Sequence, residues 1–212
     1  LALLICYELT GRDTRLKVMS THLNRPLPAL ASAIRDGALS PVELTAAAID
    51  RHETADPDCG AYKTWAPELA RKMAEAAELA VRSGSYLGSL HGIPVSVKDL
   101  FAVRSLPTYA GTPKRLPPEF ERAGPVGAAL RRQLGVITGK THTVELAFGG
   151  LGVNTHWDTP RNPWDAQIHR VPGGSSSGAG VSLWEGSALL ALGTDTAGSV
   201  RIPASMTGTV GL

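Results

Sequence analysis

The chain has 212 residues, of which 43% are hydrophobic and 19% charged, with 21 Lys and Arg against 19 Asp and Glu, and its mean hydropathy is near zero. That balance describes a globular chain long enough for one sizeable core, and a net charge of +2 leaves neither a basic surface for nucleic acid nor an acidic tail. Its two cysteines, Cys6 and Cys59, make no disulfide framework and fit a reducing cytoplasm.

Leu1 to Cys6 is apolar, but the run is too short to span a bilayer and has no basic region ahead of it, so no membrane helix or signal peptide is expected. Met19 reads as the start of a single domain over 19–212, with residues 1–18 a non-native or disordered extension. Ser40-Pro41-Val42-Glu43 offers a capping serine, a proline at the first helical position and a glutamate three residues after the cap. Leu44, Ala47, Ala48 and Ile49 follow at helical spacing, so a helix begins there. A second, Ala-rich helix runs from Pro67 to about Arg82, with Leu69, Met73, Ala76, Ala77 and Ala80 on one face, and Ser83-Gly84-Ser85 ends it. Both read as scaffold.

Ile93, Val95 and Val97 then alternate with Pro94, Ser96 and Lys98 as in a strand, which puts Ser96 and Lys98 on one side. A lysine closing an apolar strand ordinarily snorkels to water or meets an acid. Leu106 to Pro113 reads as loop, Gly127 to Leu134 as a short helix, and Val136 to Thr141 as a strand and turn. This last piece imitates a phosphate-binding loop, but Gly135 and Gly139 enclose three residues where that motif needs four. The six histidines, His22, His52, His91, His142, His156 and His169, form no metal-ligand spacing, and two cysteines cannot build a structural zinc site, so neither metal nor cofactor is expected.

Val171 to Ser205 organises the chain: V-P-G-G-S-S-S-G-A-G, then A-L-G-T-D-T-A-G-S-V-R-I-P-A-S. Ser175 follows a Gly-rich turn, and Ser199 comes 24 residues later at the end of a second turn over Thr194 to Gly198. Glycine lets successive N–H groups converge on one oxygen, and around Ser199 the donors are those of Thr196, Ala197, Gly198 and Ser199. Taken singly, each turn reads equally as packing between a strand and a helix. Gly174 to Gly178 also satisfies G-x-S-x-G with Ser176 as nucleophile, yet no hydrophobic strand precedes it and no histidine follows it, so that reading fails.

The paired motif resembles the amidase signature family, in which G-G-S-S-[SG]-G is followed by G-T-D-x-x-G-S-[IV]-R-x-P. The resemblance covers roughly Ala29 to Leu212 and implies a Ser–cis-Ser–Lys triad: Ser199 as the acylated nucleophile, Ser175 as the bridging serine and Lys98, in I-P-V-S-V-K-D, as the base. It further implies support from Ser176 and from an Asp195–Arg201 pair across the turn, and an acyl pocket lined by Ala147, Phe148, Gly149 and Gly150. Trp164, in the matching loop Asn162 to Asp165, reads as packing rather than substrate contact, and His142 draws attention because its neighbours approach the pocket. Ala197 departs from the family's more frequent glycine; alanine keeps the N–H but resists positive φ. Chemistry fits the lysine only if it is desolvated, since a free amine with pKa near ~10.4 is a poor base at neutral pH.

The fold that the resemblance implies is an α/β/α sandwich around a large mixed sheet, and the strands expected at 93–98, 135–138 and 189–194 agree with it. Such domains are longer than this chain, so the expectation is an N-terminal portion, poorly stable and inactive as it stands. Three functions are expected: an amidase forming an acyl-serine, the glutaminase subunit of a tRNA-dependent amidotransferase, and a non-catalytic remnant. The tRNA-linked subunits usually read R-Q-P after the nucleophile where this chain has Arg201-Ile202-Pro203, which favours the first. The expected partners are a small-molecule amide and a second copy of the chain in a homodimer, with no nucleic acid bound directly and no membrane.

Overall fold

The computed structural model describes the backbone of residues 2–5 and the whole of residues 22–54 and 59–212. Strands β1 (Ala2–Ile5), β2 (Tyr62–Trp65), β3 (Pro94–Lys98), β4 (Val136–Thr141), β5 (Leu190–Gly193) and β6 (Val210–Gly211) form one mixed sheet in the order β2-β4-β3-β5-β1-β6. The centre, β4-β3-β5, is parallel, while β2 on one side and β1 on the other run antiparallel to their neighbours. Every residue of these three central strands is buried, as parallel strands covered on both faces require.

Helices α1 (Leu27–Arg35), α2 (Pro41–Thr54), α3 (Pro67–Arg82) and α4 (Pro125–Arg132) each carry proline in the first two positions, where its missing N–H has no partner to lose. Ser40 caps α2, its Oγ accepting the N–H of Val42 at 3.0 Å and of Glu43 at 3.2 Å. Leu30 and Ile34 of α1, Leu44 and Ala48 of α2, and Leu130 of α4 cluster with Val95, Val97, Ile137, Leu190 and Leu192 on one face of the sheet. On the other face lie α5 (Ser177–Glu185) and α6 (Arg201–Thr207), whose Ala179, Leu183 and Ala204 pack with Ala191. The result is an α/β/α sandwich.

One extra residue decides where two buried lysines point. The β3–β4 register runs Val95 opposite Ile137 and then Ser96 opposite Gly139, so Thr138 is a bulge. It restores Lys140 to the face of its partner Val97, away from Lys98.

Several elements differ from the sequence reading. Residues 2–5, expected within an extension, form a strand in the sheet; Met19 and the rest of that stretch lie outside the described residues. Gly139-Lys140-Thr141, read as a turn, completes β4, and α4 begins and ends two residues earlier than the expected 127–134. No described helix is long and apolar enough to cross a membrane.

Candidate active site

The parallel strands β3 and β5 end side by side, Val97 opposite Leu192, and this edge gathers the chemistry. Lys98 is the last residue of β3, and alternation points it, like Ser96, toward α5: Ser96 Oγ meets Ser182 Oγ of α5 at 2.8 Å. The Lys98 side chain is 0% exposed. Its Nζ lies 2.7 Å from Ser175 Oγ and donates to Thr194 Oγ1 at 2.8 Å. It neither snorkels nor meets an acid among the described residues. Burial lowers its pKa to about 7, against a smaller upward pull from Asp195, so a large share of the amine is neutral at physiological pH.

Ser175 precedes α5 and is itself fully buried, and the Gly174–Ser175 peptide bond is cis. The approach to it is possible only for glycine: a Cβ on Gly174 would sit 2.7 Å from Gly152 N, and one on Gly173 (φ 83) would sit 2.9 Å from Pro203 Cα. Gly174 N donates to Gly150 O at 2.8 Å, and Val144 N donates to Ser175 O at 3.1 Å. The pocket loop expected from the sequence is thereby joined to the serine turn. Within that loop Leu146 and Ala147 adopt φ of 47° and 62°, a left-handed conformation that side chains resist. Phe148 beside them is 93% exposed.

Ser199 is half-buried. Ser176 N donates to Ser199 O at 3.1 Å, which ties the two serine turns together. The Ser199 hydroxyl makes no hydrogen bond to Ser175 in this structure. Ser176 Oγ and Ser177 Oγ are buried without a hydrogen-bond partner.

Asp195 and Arg201 form a two-pronged pair, Nε to Oδ2 and Nη2 to Oδ1, both at 3.0 Å. The same carboxylate accepts the N–H of Gly198 at 2.7 Å and of Val200 at 3.1 Å. These bonds, the Arg201 pairing foremost, hold its pKa far below the usual carboxylate range. One sequence expectation is corrected here: the Gly198 N–H is occupied by Asp195, which leaves those of Thr196, Ala197 and Ser199 as the candidate donors. The positive φ falls on Gly198, at 108°, so Ala197 is not asked for a conformation it resists.

Two neighbours of the site were not singled out from the sequence. Thr194 is the second partner of Lys98, and its only sequence signal is its place beside Asp195. Lys140 is as buried as Lys98, its Nζ 2.6 Å from Asp99 Oδ1 and donating to Thr108 Oγ1 at 2.7 Å and Pro107 O at 2.8 Å. Asp99 Oδ2 accepts the N–H groups of Tyr109 and Ala110 at 3.0 and 3.1 Å, and Ala110 O accepts Leu146 N at 2.8 Å. A chain of contacts thus runs from the residue after Lys98 to the pocket loop. His142 is buried, and burial followed by the Lys63 charge lowers its pKa to about 4. Trp164 donates Nε1 to Thr207 O at 2.9 Å and packs over Gly208, although 60% of it is exposed.

A buried lysine, a buried serine on a Gly-rich turn before a helix, and a second serine on an acid-braced turn are thus brought to one edge of the sheet. The family model described as Amidase matches residues 43–212, and the chain belongs to that family. A deaminase of Comamonas testosteroni named for 2-amino-5-chloromuconic acid is 58% identical over 182 residues, covering 86% of this chain and 39% of the relative. A glutamyl-tRNA(Gln) amidotransferase subunit from Mycobacteroides abscessus is 37% identical, covering 92% and 39%. A solved structure described as an amidase superposes with a TM-score of 0.78 at 38% identity, covering 85% of this chain and 41% of that one. The chain thus spans about two fifths of the length of the proteins it matches.

Proposed function

We propose that the chain carries the catalytic centre of an amidase that cleaves a carboxylic amide to an acid and ammonia or an amine through an acyl-serine. The observation that carries this reading is Lys98: a desolvated amine with a pKa near 7, in contact with Ser175 and not with an acid. In this reading Ser199 Oγ attacks the amide carbon and its proton passes to Ser175, whose own proton passes to Lys98 Nζ. The oxyanion accepts N–H bonds from Thr196, Ala197 and Ser199; a single such donor contributes roughly 10²–10³ in rate. Lys98 returns its proton by way of Ser175 to the leaving nitrogen, and water releases the acyl group by the same route.

Ala147, Phe148, Gly149 and Gly150 form one wall of the acyl pocket, and Ser176 supports the site through its N–H, which donates to Ser199 O. The relative named for 2-amino-5-chloromuconic acid favours a small acidic substrate. The cysteine content favours a cytoplasmic protein, and a homodimer completes the reading. The glutaminase reading draws on the amidotransferase relatives at 37% identity, but Arg201-Ile202-Pro203 departs from their usual R-Q-P. A fluorophosphonate probe tests the proposal. Labelling confined to Ser199, and lost in S199A, is the expected result, whereas labelling elsewhere or none at all overturns it.

A further inference from the structure

One cation outside this machinery is built into the same edge of the sheet. The β2–β4 register runs Tyr62 opposite Thr141 and then Thr64 opposite Lys140, so Lys63 is the extra residue of a bulge. Bulges re-aim side chains and gather beside active sites. Tyr62 turns its hydroxyl to Ser187 and Thr138. Lys63 instead lies over two rings, its Nζ 3.3 Å from the centroid of Trp157 and 4.4 Å from that of Tyr109.

Those rings are themselves fixed, since Trp157 donates Nε1 to Thr112 O at 2.9 Å and meets Tyr109 edge-on. A lysine side chain is costly to immobilise, and here the rings have already done so. Among the described residues no acid is ion-paired with Lys63; Asp99, which acts on it at longer range, is paired with Lys140.

Its place relative to the reacting groups follows from the register. Tyr62 is opposite Thr141, and Thr141 is opposite Lys98. Lys63 therefore stands at the edge where Lys98 stands, two strand spacings or roughly 10 Å along the sheet. His142, next to Thr141, is neutral above pH about 4 and adds no competing cation.

We propose that Lys63 is an anion subsite of the catalytic centre and takes a carboxylate carried by the substrate at the end remote from the scissile amide. The proposal rests on the amidase reading and names its substrate class. A carboxylate fits because Lys63 supplies one compact point charge, with two of its sides covered by rings; a phosphate would want several converging donors.

The test uses the full-length protein with adipamic acid and hexanamide, six-carbon amides that differ in the far carboxylate. K63M keeps the aliphatic stem on the rings and drops the charge, K63R keeps the charge, and K63Q serves if K63M does not fold. The expected result is a KM for adipamic acid raised ~10–100-fold in K63M, as for loss of a charged hydrogen bond, with hexanamide unchanged and K63R close to wild type. An equal change for both substrates, or no change for either, overturns the subsite.

Calorimetric titration with adipate separates this inference from the amidase reading. If the wild type hydrolyses neither amide yet binds adipate, and K63M weakens that binding about tenfold or more, the subsite stands and the amidase reading falls. Absent or equal adipate binding overturns the subsite whatever the turnover.

Discussion

Asp195 Oδ1 accepts the Gly198 N–H at 2.7 Å, one residue before the hydroxyl proposed to attack. The carboxylate also grips Arg201 and the Val200 N–H, so it braces the turn on both sides of Ser199. D195N removes the two-pronged charge pair and is expected to slow probe labelling of Ser199 by about tenfold or more, the scale set by losing a charged hydrogen bond. R201K, which keeps the charge and loses the planar fork, is expected to fall in between. Labelling rates with intact Ser199 in each variant measure this.

The rate of acylation should rise with pH along a single limb centred near pH 7, because only the neutral Lys98 accepts a proton and its pKa is about 7. Asp195 is the group that pulls this pKa upward. In D195N the limb should therefore move to lower pH even as the maximum rate drops. A profile of labelling rate against pH reads both effects, and a limb that moves upward would contradict the assigned cause.

Burying Lys98 costs stability, and the cost has a pH signature. The amine titrates at about 7 in the folded chain and near ~10.4 when unfolded, so between these values the unfolded state holds more protons. Stability should then climb with pH across that window, by at most about 1.4 kcal/mol per unit from this group, and level off beyond it. K98M should abolish amide hydrolysis, flatten the climb, and raise stability at pH 7 by on the order of 1–3 kcal/mol after the lost Ser175 and Thr194 contacts are counted. Denaturant melts from pH 7 to 10 decide it.

The Lys140–Asp99 pair behaves in the opposite way. Both side chains are at most 1% exposed, and removing one leaves the other charged and alone. K140M or D99N is expected to cost about 3–5 kcal/mol, whereas K140M with D99L should recover much of it. Chemical denaturation of the two single variants and the double variant measures this coupling.

How far the letters carried depended on how local each signal was. Strand β3 was legible because Val95 and Val97 alternate with Ser96 and Lys98, α2 because a serine cap and a proline mark its start, and α3 because proline opens an alanine-rich run with one apolar face. Helix α5 carries no amphipathic stripe, since it is buried on nearly every side; its Gly178 lies so close to β2 and β4 that a Cβ would come within 2.8 Å of His142 N. Close approach of this kind leaves small residues, which read as loop. Helix α6 was hidden by Pro203 near its start, and the end of β4 by a lysine whose acid lies in the turn just after another strand. The site residues came from a long ordered motif, while Thr194, Asp99 and Lys140 act through contacts that only the folded sheet creates.

The bulge at Thr138 has one last implication. Were Thr138 taken into the ladder as an ordinary paired residue, Lys140 would fall opposite Lys98, crowding two waterless amines into a niche shaped for one, far from the acid that now neutralises the first. The strand's irregularity thus sorts one lysine to an acid and the other to the serine proposed to relay its proton.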